Sequence, residues 1–193
     1  MTERLPRITP DEMTPEQAEV YSKFTSGKRA APGASFSLLH PEGGLIGPPN
    51  AWLLSPPLAR VFEQIGGTMR YGLQLSDRAC EIAILLVAFH RDSPFELYAH
   101  RRAGRAAGLT DAEIEGLATR TPPSFTSDEE RHLFAATLAL LDKQTLDDAQ
   151  YADAVAGLGR RKLFELVALV GYYDQVATQL AVFGVVPPEE CGT

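Results

Sequence analysis

Two acidic residues and one histidine near the middle of the sequence have the types and spacing that proton transfer requires. Glu96 and His100 are four residues apart, so a helix would place both side chains on one face. A carboxylate beside an imidazole raises the pKa of the imidazole and fixes its tautomer, which suits a general acid or base. The stretch from Ser93 to Glu96 is also a capping box, in which Glu96 would accept from the backbone N–H of Ser93. Spacing alone leaves the catalytic role and the capping role of Glu96 open.

Glu81 is the second candidate acid, because it immediately precedes the apolar run Ile82–Phe89. A carboxyl group buried there without a partner would have a raised pKa and would suit general acid–base catalysis at neutral pH. The structural alternative is an acid in the first turns of a helix, where the helix dipole favours negative charge.

Further polar and aromatic residues are candidates for a substrate pocket. A rigid, proline-rich turn at 47–52 carries an amide and an indole, and such loops often line pockets. Two phenols and an acid interrupt the last apolar helix at 172–174, and a basic cluster follows His100, with the charge to hold a substrate carboxylate. Each group also has a structural explanation: the indole could cover the hydrophobic core, the phenols could lie in a subunit interface, and the basic cluster could be a solvated helix face. The predicted substrate-binding residues are Asn50, Trp52, Tyr173 and Arg101.

The sequence lacks the patterns of several other kinds of site. Its two cysteines, Cys80 and Cys191, are far apart and form neither a disulfide framework nor a CxxC pair. No HxxxH or HExxH spacing indicates zinc, and no glycine cluster follows a strand to bind a nucleotide. We therefore predict no metal and no cofactor.

Composition limits the class of protein. The chain has 193 residues, 45% of them hydrophobic, and a net charge of −7, which indicates one globular domain and argues against nucleic-acid binding. The eight apolar residues of Ile82–Phe89 are far fewer than the roughly 20 that span a bilayer. The first 17 residues contain no apolar signal core, so we predict a cytoplasmic protein without a membrane partner.

The elements that must position these residues are all predicted helices. Apolar residues recur at helical spacing behind capping residues such as Thr14, Ser76 and Thr110, and no strand-like alternation is present. Residues 27–57 hold many Gly and Pro and form an irregular segment. The predicted fold is all-α with about eight helices: 15–25, 56–72, one from Ser76 containing Ile82–Phe89, 94–108, 111–118, one from Thr126 or Ser127, 147–157 and 160–183.

Residues 75–117 resemble the core of the carboxymuconolactone decarboxylase family, whose all-helical fold is shared with the alkylhydroperoxidase D-like (AhpD-like) proteins. The similar features are the acid opening an apolar helix, the E-x-x-x-H pair in the next helix and the ending AGLTDAEI. The segments GPPNAWLLSPPLA and ELVALVGYYDQVATQLAVFGV are also similar to the family. The resemblance implies an AhpD-like helical bundle in a single domain, residues 1–193. Helices and the irregular segment would occupy 1–74, and the family core 75–185.

The same resemblance argues against thiol peroxidase activity. In the peroxidase branch, a glutamate, a CxxC pair and a histidine form a proton relay. Here those positions hold Glu81, Ser93, Glu96 and His100, so both thiols are absent. A thiolate is the nucleophile and redox centre of that chemistry, and neither serine nor glutamate replaces it.

The resemblance instead implies the decarboxylase branch, whose members act on small lactone acids without a cofactor. We predict a cofactor-independent lyase in which His100 moves the proton, Glu96 orients His100, and Glu81 is a second acid or base. The alternatives are an isomerase or dehydratase using the same groups, or a helical protein that binds a small acid or a protein partner without catalysis. The resemblance, together with the apolar last helix around Gly171, also predicts a homo-oligomer, either a trimer, a multiple of three or a dimer.

Overall fold

A computed structural model describes residues 4–26 and 36–188. Residues 27–35 of the predicted irregular segment and Cys191 lie outside the described residues. Within the described ranges the chain forms eight α-helices, one short 3₁₀ helix at Pro10–Glu12 and a single isolated β-bridge between Leu39 and Leu45. The prediction of an all-α fold is confirmed.

The helices follow the predicted order with one addition. Their bounds are α1 Pro15–Phe24, α2 Pro48–Trp52, α3 Pro56–Tyr71, α4 Asp77–His90, α5 Pro94–Ala106, α6 Asp111–Ala118, α7 Asp128–Lys143 and α8 Asp148–Phe183. The short helix α2 lies in the segment that we predicted to be irregular. The two predicted C-terminal helices are the two parts of α8, which are separated at Gly159, where φ is 73° and ψ is 161°.

The predicted capping residues begin the helices as expected. Thr14 and Thr110 form complete capping boxes with the residues three positions later, and Ser76 accepts a hydrogen bond from the backbone N–H of Ala79. Each cap satisfies a backbone donor that the first helical turn would otherwise leave unpaired. These caps fix the start of α4 and α6, on either side of α5, which carries Glu96 and His100.

Helix α4 is the centre of the larger hydrophobic core. Nine of its residues are buried, including Ile82, Leu85 and Val87, and the helix packs against α5, α6, α7 and α8. An apolar surface on every side of a helix requires neighbours on every side. Because Glu81 comes just before this run, its carboxyl group is placed at the edge of the core.

A second hydrophobic cluster lies at the other end of α8. It is formed by α1, the residues just before α2, α2 itself and α3, packed on the start of α5 and the C-terminal part of α8: Val20, Phe24, Leu45, Trp52, Leu53, Ala59, Phe95, Val176 and Leu180. At Gly47, which has a φ of 71°, an added Cβ would lie 2.2 Å from the ring of Phe95. The segment before α2 therefore passes directly over α5.

An arginine of α4, with its side chain 11% exposed, joins this helix to α6 and α7. Arg78 donates to the carbonyl oxygen of Gly108 at 2.5 Å, to Glu113 at 2.9 Å and to the carbonyl oxygen of Ser124 at 3.1 Å. It also forms an ion pair of 3.1 Å with Glu130, which is almost fully buried. Burial acts to raise the pKa of Glu113, but hydrogen bonds from Thr110 and Arg78 outweigh it and lower the pKa to about 2.

Several large apolar side chains remain exposed on the outer faces of α3 and α8. The largest exposure is 73% at Phe164, and the others include Leu58, Val61, Val167 and Val182. In the described part of the chain, α8 alone has the length and apolar composition of a membrane span, but core residues of α8 such as Leu166 and Leu169 pack inside the protein. Self-association through these faces stays a prediction.

Candidate functional site

The structure pairs His100 with Glu81 and not with Glu96. His100 Nδ1 lies 2.8 Å from Glu81 Oε2, and the two side chains are 5% and 12% exposed. The contact forms because α4 and α5 pack side by side, joined by a tight turn in which Asp92 has a φ of 45°. The prediction that Glu96 orients His100 is therefore wrong. Residues 19 positions apart form the pair, whereas the i,i+4 neighbour does not.

Glu96 is buried without a hydrogen-bond partner. No capping box forms at α5, because the Ser93 backbone N–H donates to the carbonyl oxygen of Ala88 at 3.0 Å. Both carboxyl oxygens of Glu96 and the hydroxyl of Ser93 are buried with no partner among the described residues. Burial raises the pKa of Glu96 to about 8, and the adjacent Ser93 offsets only part of the shift. A carboxyl group with this pKa is mostly protonated at pH 7. Because the Ser93 N–H donates to Ala88 and not to Glu96, Glu96 does not cap α5.

Tyr173 contacts the imidazole of His100 from α8. The two rings meet edge to face, with their centroids 5.0 Å apart. Burial raises the pKa of the Tyr173 phenol well above its usual value, the charge of Glu81 raises it further, and the Arg70 guanidinium opposes the shift. The phenol is therefore neutral at physiological pH and keeps its proton for donation.

A cavity of about 390 Å³ opens beside this cluster. Its walls come from the end of α3, the first turns of α4, the end of α5 and Tyr173 of α8. Glu81 and Tyr173 line the cavity, and His100 lies behind them in contact with both. The other polar or charged lining residues include Arg70, Asp77 and Cys80, and most of the remaining wall is apolar. A pocket of this size admits a small organic molecule.

The described residues around the cavity provide neither a reactive thiol nor a cluster of metal ligands. Burial raises the pKa of Cys80 to about 12, with Glu81 adding to the effect, so the thiol is not a nucleophile at neutral pH. Within residues 4–26 and 36–188, no three His, Cys, Asp or Glu side chains converge as metal ligands do. Glu81 and His100 together would supply only two ligands.

Asn50 and Trp52 do not line this cavity, contrary to our prediction. The Asn50 side chain accepts from the backbone N–H of Ile8 at 3.1 Å and donates to the carbonyl oxygen of Pro6 at 3.3 Å. The Trp52 indole donates to Gln179 at 2.8 Å within the second hydrophobic cluster. Both side chains hold the N-terminal segment and α2 in place, which sequence alone could not distinguish from lining a pocket.

Arg101 is likewise turned away from the cavity. It pairs with Glu115 of α6 at 3.0 Å on a partly exposed surface, and its guanidinium lies near the ring of Phe89. The cation on the cavity wall is Arg70, in the last turn of α3. Its guanidinium lies 4.8 Å from the ring centroid of Phe36, and the Phe36 ring contacts His100 at 6.1 Å between centroids. Arg70 and Phe36 were not predicted as site residues, because an arginine at a helix end and a phenylalanine in an irregular segment are common features.

Comparison with solved structures identifies a protein of similar fold. A crystal structure of a protein of unknown function from Agrobacterium tumefaciens, whose name assigns it provisionally to antioxidant defence as AhpD, superposes with a TM-score of 0.65. The sequence identity is 17%, and the match covers 73% of this chain and 97% of the other. No protein-family profile and no curated protein matches the sequence. The similarity is in the fold, and the chain has an AhpD-like helical fold.

Proposed function

We propose that this protein is a cofactor-independent acid–base enzyme acting on a small carboxylated or lactone-type substrate, as a carboxymuconolactone decarboxylase-like lyase. The observation that carries the proposal is the Glu81–His100 pair at the wall of a cavity. A carboxylate hydrogen-bonded to an imidazole, next to space for a small molecule, is the arrangement that general acid–base catalysis uses.

The two acids near the cavity have different environments, and this difference suggests their roles. Glu81 has a histidine partner and faces the cavity, whereas Glu96 is buried, unpartnered and mostly protonated at pH 7. Titratable groups whose surroundings favour opposite protonation states commonly divide the acid and base roles. Glu81 with His100 is then the pair that exchanges a proton with the ligand, and Glu96 is the acid that returns the proton to this pair.

A decarboxylation would use these groups in sequence. When the bond between a carbon and its carboxylate breaks, the electron pair remains on that carbon and the product needs one proton. Tyr173 and the protonated form of the Glu81–His100 pair stand at the cavity and are the nearest donors for that proton. Glu96, one helical turn from His100, would restore the proton to the pair. An isomerisation or a dehydration would need the same donor and acceptor.

The positions of Ser93 and Glu96 support acid–base chemistry over thiol chemistry. Ser93 is the N-cap residue of α5 and Glu96 lies in its first turn, four residues before His100, at the positions where the peroxidase branch of the similar family has its two cysteines. The one cysteine in the described residues, Cys80, has a raised pKa. The antioxidant name of the structural neighbour therefore does not transfer to this chain.

The test is release of carbon dioxide from 4-carboxymuconolactone by the purified protein. We expect His100→Ala to reduce turnover by about 10²- to 10⁴-fold, since positioned general acid–base groups contribute this much. The exposed His90, at the end of α4, gives a matched control, and His90→Ala should keep wild-type turnover.

Circular dichroism of each variant should match that of the wild type. Turnover that persists in His100→Ala would contradict the assigned role. No release from the wild type would exclude this substrate and favour an isomerase or dehydratase. Incorporation of solvent deuterium into other lactone acids would then test those activities.

A non-catalytic binding protein is the second candidate, because His100 lies behind the cavity wall and is almost fully buried. In that case the Glu81–His100 pair would only hold α4 to α5. Saturable binding of small acids, with neither turnover nor deuterium incorporation, would favour it.

A further inference from the structure

We propose that Arg70 forms an anion-binding subsite in this cavity and that it holds a carboxylate group of the ligand. The subsite lies at the end of α3, on the same cavity as Glu81 and Tyr173. This inference rests on the proposed function in that it names the class of ligand for the same cavity.

The charge of Arg70 is not used elsewhere in the described structure. Arg70 forms no ion pair and donates no hydrogen bond to any residue of 4–26 or 36–188, although it is half-buried. Its neighbours of the same type are engaged: Arg78 with Glu113 and Glu130, Arg91 with Asp174, Arg101 with Glu115 and Arg105 with Asp111. A guanidinium on a cavity wall with its donors free is suited to bind an oxyanion.

Phe36 holds the guanidinium in place without consuming its hydrogen-bond donors. The Arg70 guanidinium lies over the Phe36 ring, 4.8 Å from its centroid, which is a cation–π distance. The same ring contacts His100. One phenyl ring therefore connects the proposed anion subsite to the Glu81–His100 pair, so that a ligand bound by Arg70 lies close to the acid–base groups.

The other charges around the cavity favour a carboxylate over a phosphate. Asp77 is exposed at the start of α4, and Glu81 lies deeper in the wall, so two acids share the cavity with one cation. A phosphate dianion carries two charges on one group, and both acids would repel it. Each carboxylate of a dicarboxylate carries one charge, and one planar carboxylate matches a single guanidinium in charge and shape. Tyr173 adds a neutral donor and no charge.

The experiment measures binding and does not depend on turnover. Titration of the purified protein with succinate, followed by NMR chemical shifts, should show saturable binding. Arg70→Gln should weaken it by about 10- to 100-fold, the loss expected when one charge-assisted contact is removed. Arg70→Lys keeps the charge without the planar fork and should give an intermediate loss. Arg101→Gln removes an arginine that does not line the cavity, so it is the matched control and should change the dissociation constant less than twofold.

Three results would overturn the proposal. These are no succinate binding by the wild type, unchanged binding in Arg70→Gln, or inorganic phosphate binding more tightly than succinate. Dimethyl succinate, which lacks the charge, should not compete with succinate. Retained circular dichroism in Arg70→Gln and Arg70→Lys shows that a loss of binding is not a loss of folding.

The two proposals fail in different ways. If Arg70→Gln loses succinate binding while no substrate is turned over, the subsite stands and the proposed enzymatic function falls. If His100-dependent turnover is found while Arg70→Gln binds succinate as the wild type does, the function stands and the subsite falls.

Discussion

The described residues contain two buried histidines, each paired with a carboxylate at almost the same distance but in different surroundings. His100 Nδ1 lies 2.8 Å from Glu81, and His132 Nδ1 lies 2.9 Å from Asp153. The first joins α4 to α5 and the second joins α7 to α8. The distance between the two atoms does not distinguish a catalytic candidate from a structural pair.

The second ring nitrogen and the space around the ring make the difference. His132 Nε2 lies 3.0 Å from Arg131 Nη2, and the ring packs on Gly157, where an added Cβ would be 2.0 Å from it. His100 Nε2 makes no hydrogen bond to a described residue, and the partner of His100 lines a cavity. Both nitrogens of the His132 ring therefore have partners within the protein, whereas the His100 ring keeps one nitrogen with the capacity for proton transfer.

The largest expected effect is on activity, and it separates the two pairs directly. Glu81→Gln removes the acceptor of the cavity pair and should lower kcat/KM by about 10²- to 10⁴-fold. Asp153→Asn makes the equivalent change in the His132 pair. It should leave kcat/KM within about twofold of wild type, because Asp153 is 59% exposed and does not line the cavity. Equal losses in the two variants would remove the distinction between the pairs.

Of the two pairs, only Glu81–His100 has an unpartnered acid, Glu96, one helical turn away. Replacing it in Glu96→Gln should change how the free energy of unfolding depends on pH. The pKa of Glu96 is about 8 in the folded protein and 4.5 in the unfolded chain. Between these values the unfolded state binds fewer protons, so the free energy of unfolding of the wild type falls as pH rises. The variant lacks this loss. Relative to wild type it should gain stability from pH 5 to pH 8, by at most about 5 kcal/mol.

Urea unfolding at pH 5 and pH 8 measures that difference. The exposed Glu115→Gln, on α6, serves as control and should differ from wild type by less than about 0.5 kcal/mol at both pH values. A Glu96→Gln difference that does not change with pH would mean that Glu96 is already ionised in the folded protein.

The smallest expected effect is on the free energy of unfolding at the His132–Asp153 pair. Two glycines of α8, Gly157 and Gly171, test it. Gly157→Ala forces a methyl group against the His132 ring and should cost about 1–3 kcal/mol in the free energy of unfolding. Gly171→Ala meets no atom within 4 Å and should stabilise the helix by up to about 1 kcal/mol. In a His132→Ala background the cost of Gly157→Ala should disappear. A cost that persists there would show that the ring of His132 is not the obstacle.

Local signals in the sequence predicted the helices well. Thr14, Ser76 and Thr110 begin helices as predicted, because a capping side chain and the amide it accepts from are close in sequence. Of the two residues predicted to begin α7, Thr126 and Ser127, Ser127 is the cap. Gly159 separates the two parts of α8 for the same reason, since its backbone angles are a local property. The short helix α2 was missed because Pro and Gly surround it.

The partners of the site residues could not be predicted from spacing. Glu96 lies four positions before His100 on one helix, so proximity in sequence suggested that pair, yet the packing of α4 on α5 brings Glu81 to His100. Arg101 follows His100 directly, but its position on the helix turns it toward Glu115. Arg70 and Phe36 reach the cavity from distant segments. Contacts between helices depend on crossing geometry, which a single sequence does not encode in its spacing.

The contacts of Arg78 have a consequence for the motions of the chain. This one side chain, three residues before Glu81, holds the turn after α5, the helix α6, the loop before α7 and the first turn of α7. Segments that share such a link open together, so the protected amide protons between Gly108 and Glu130 should exchange with solvent as one cooperative unit. The helix that carries Glu81 thus serves as the fixed frame against which residues 108–130 open and close.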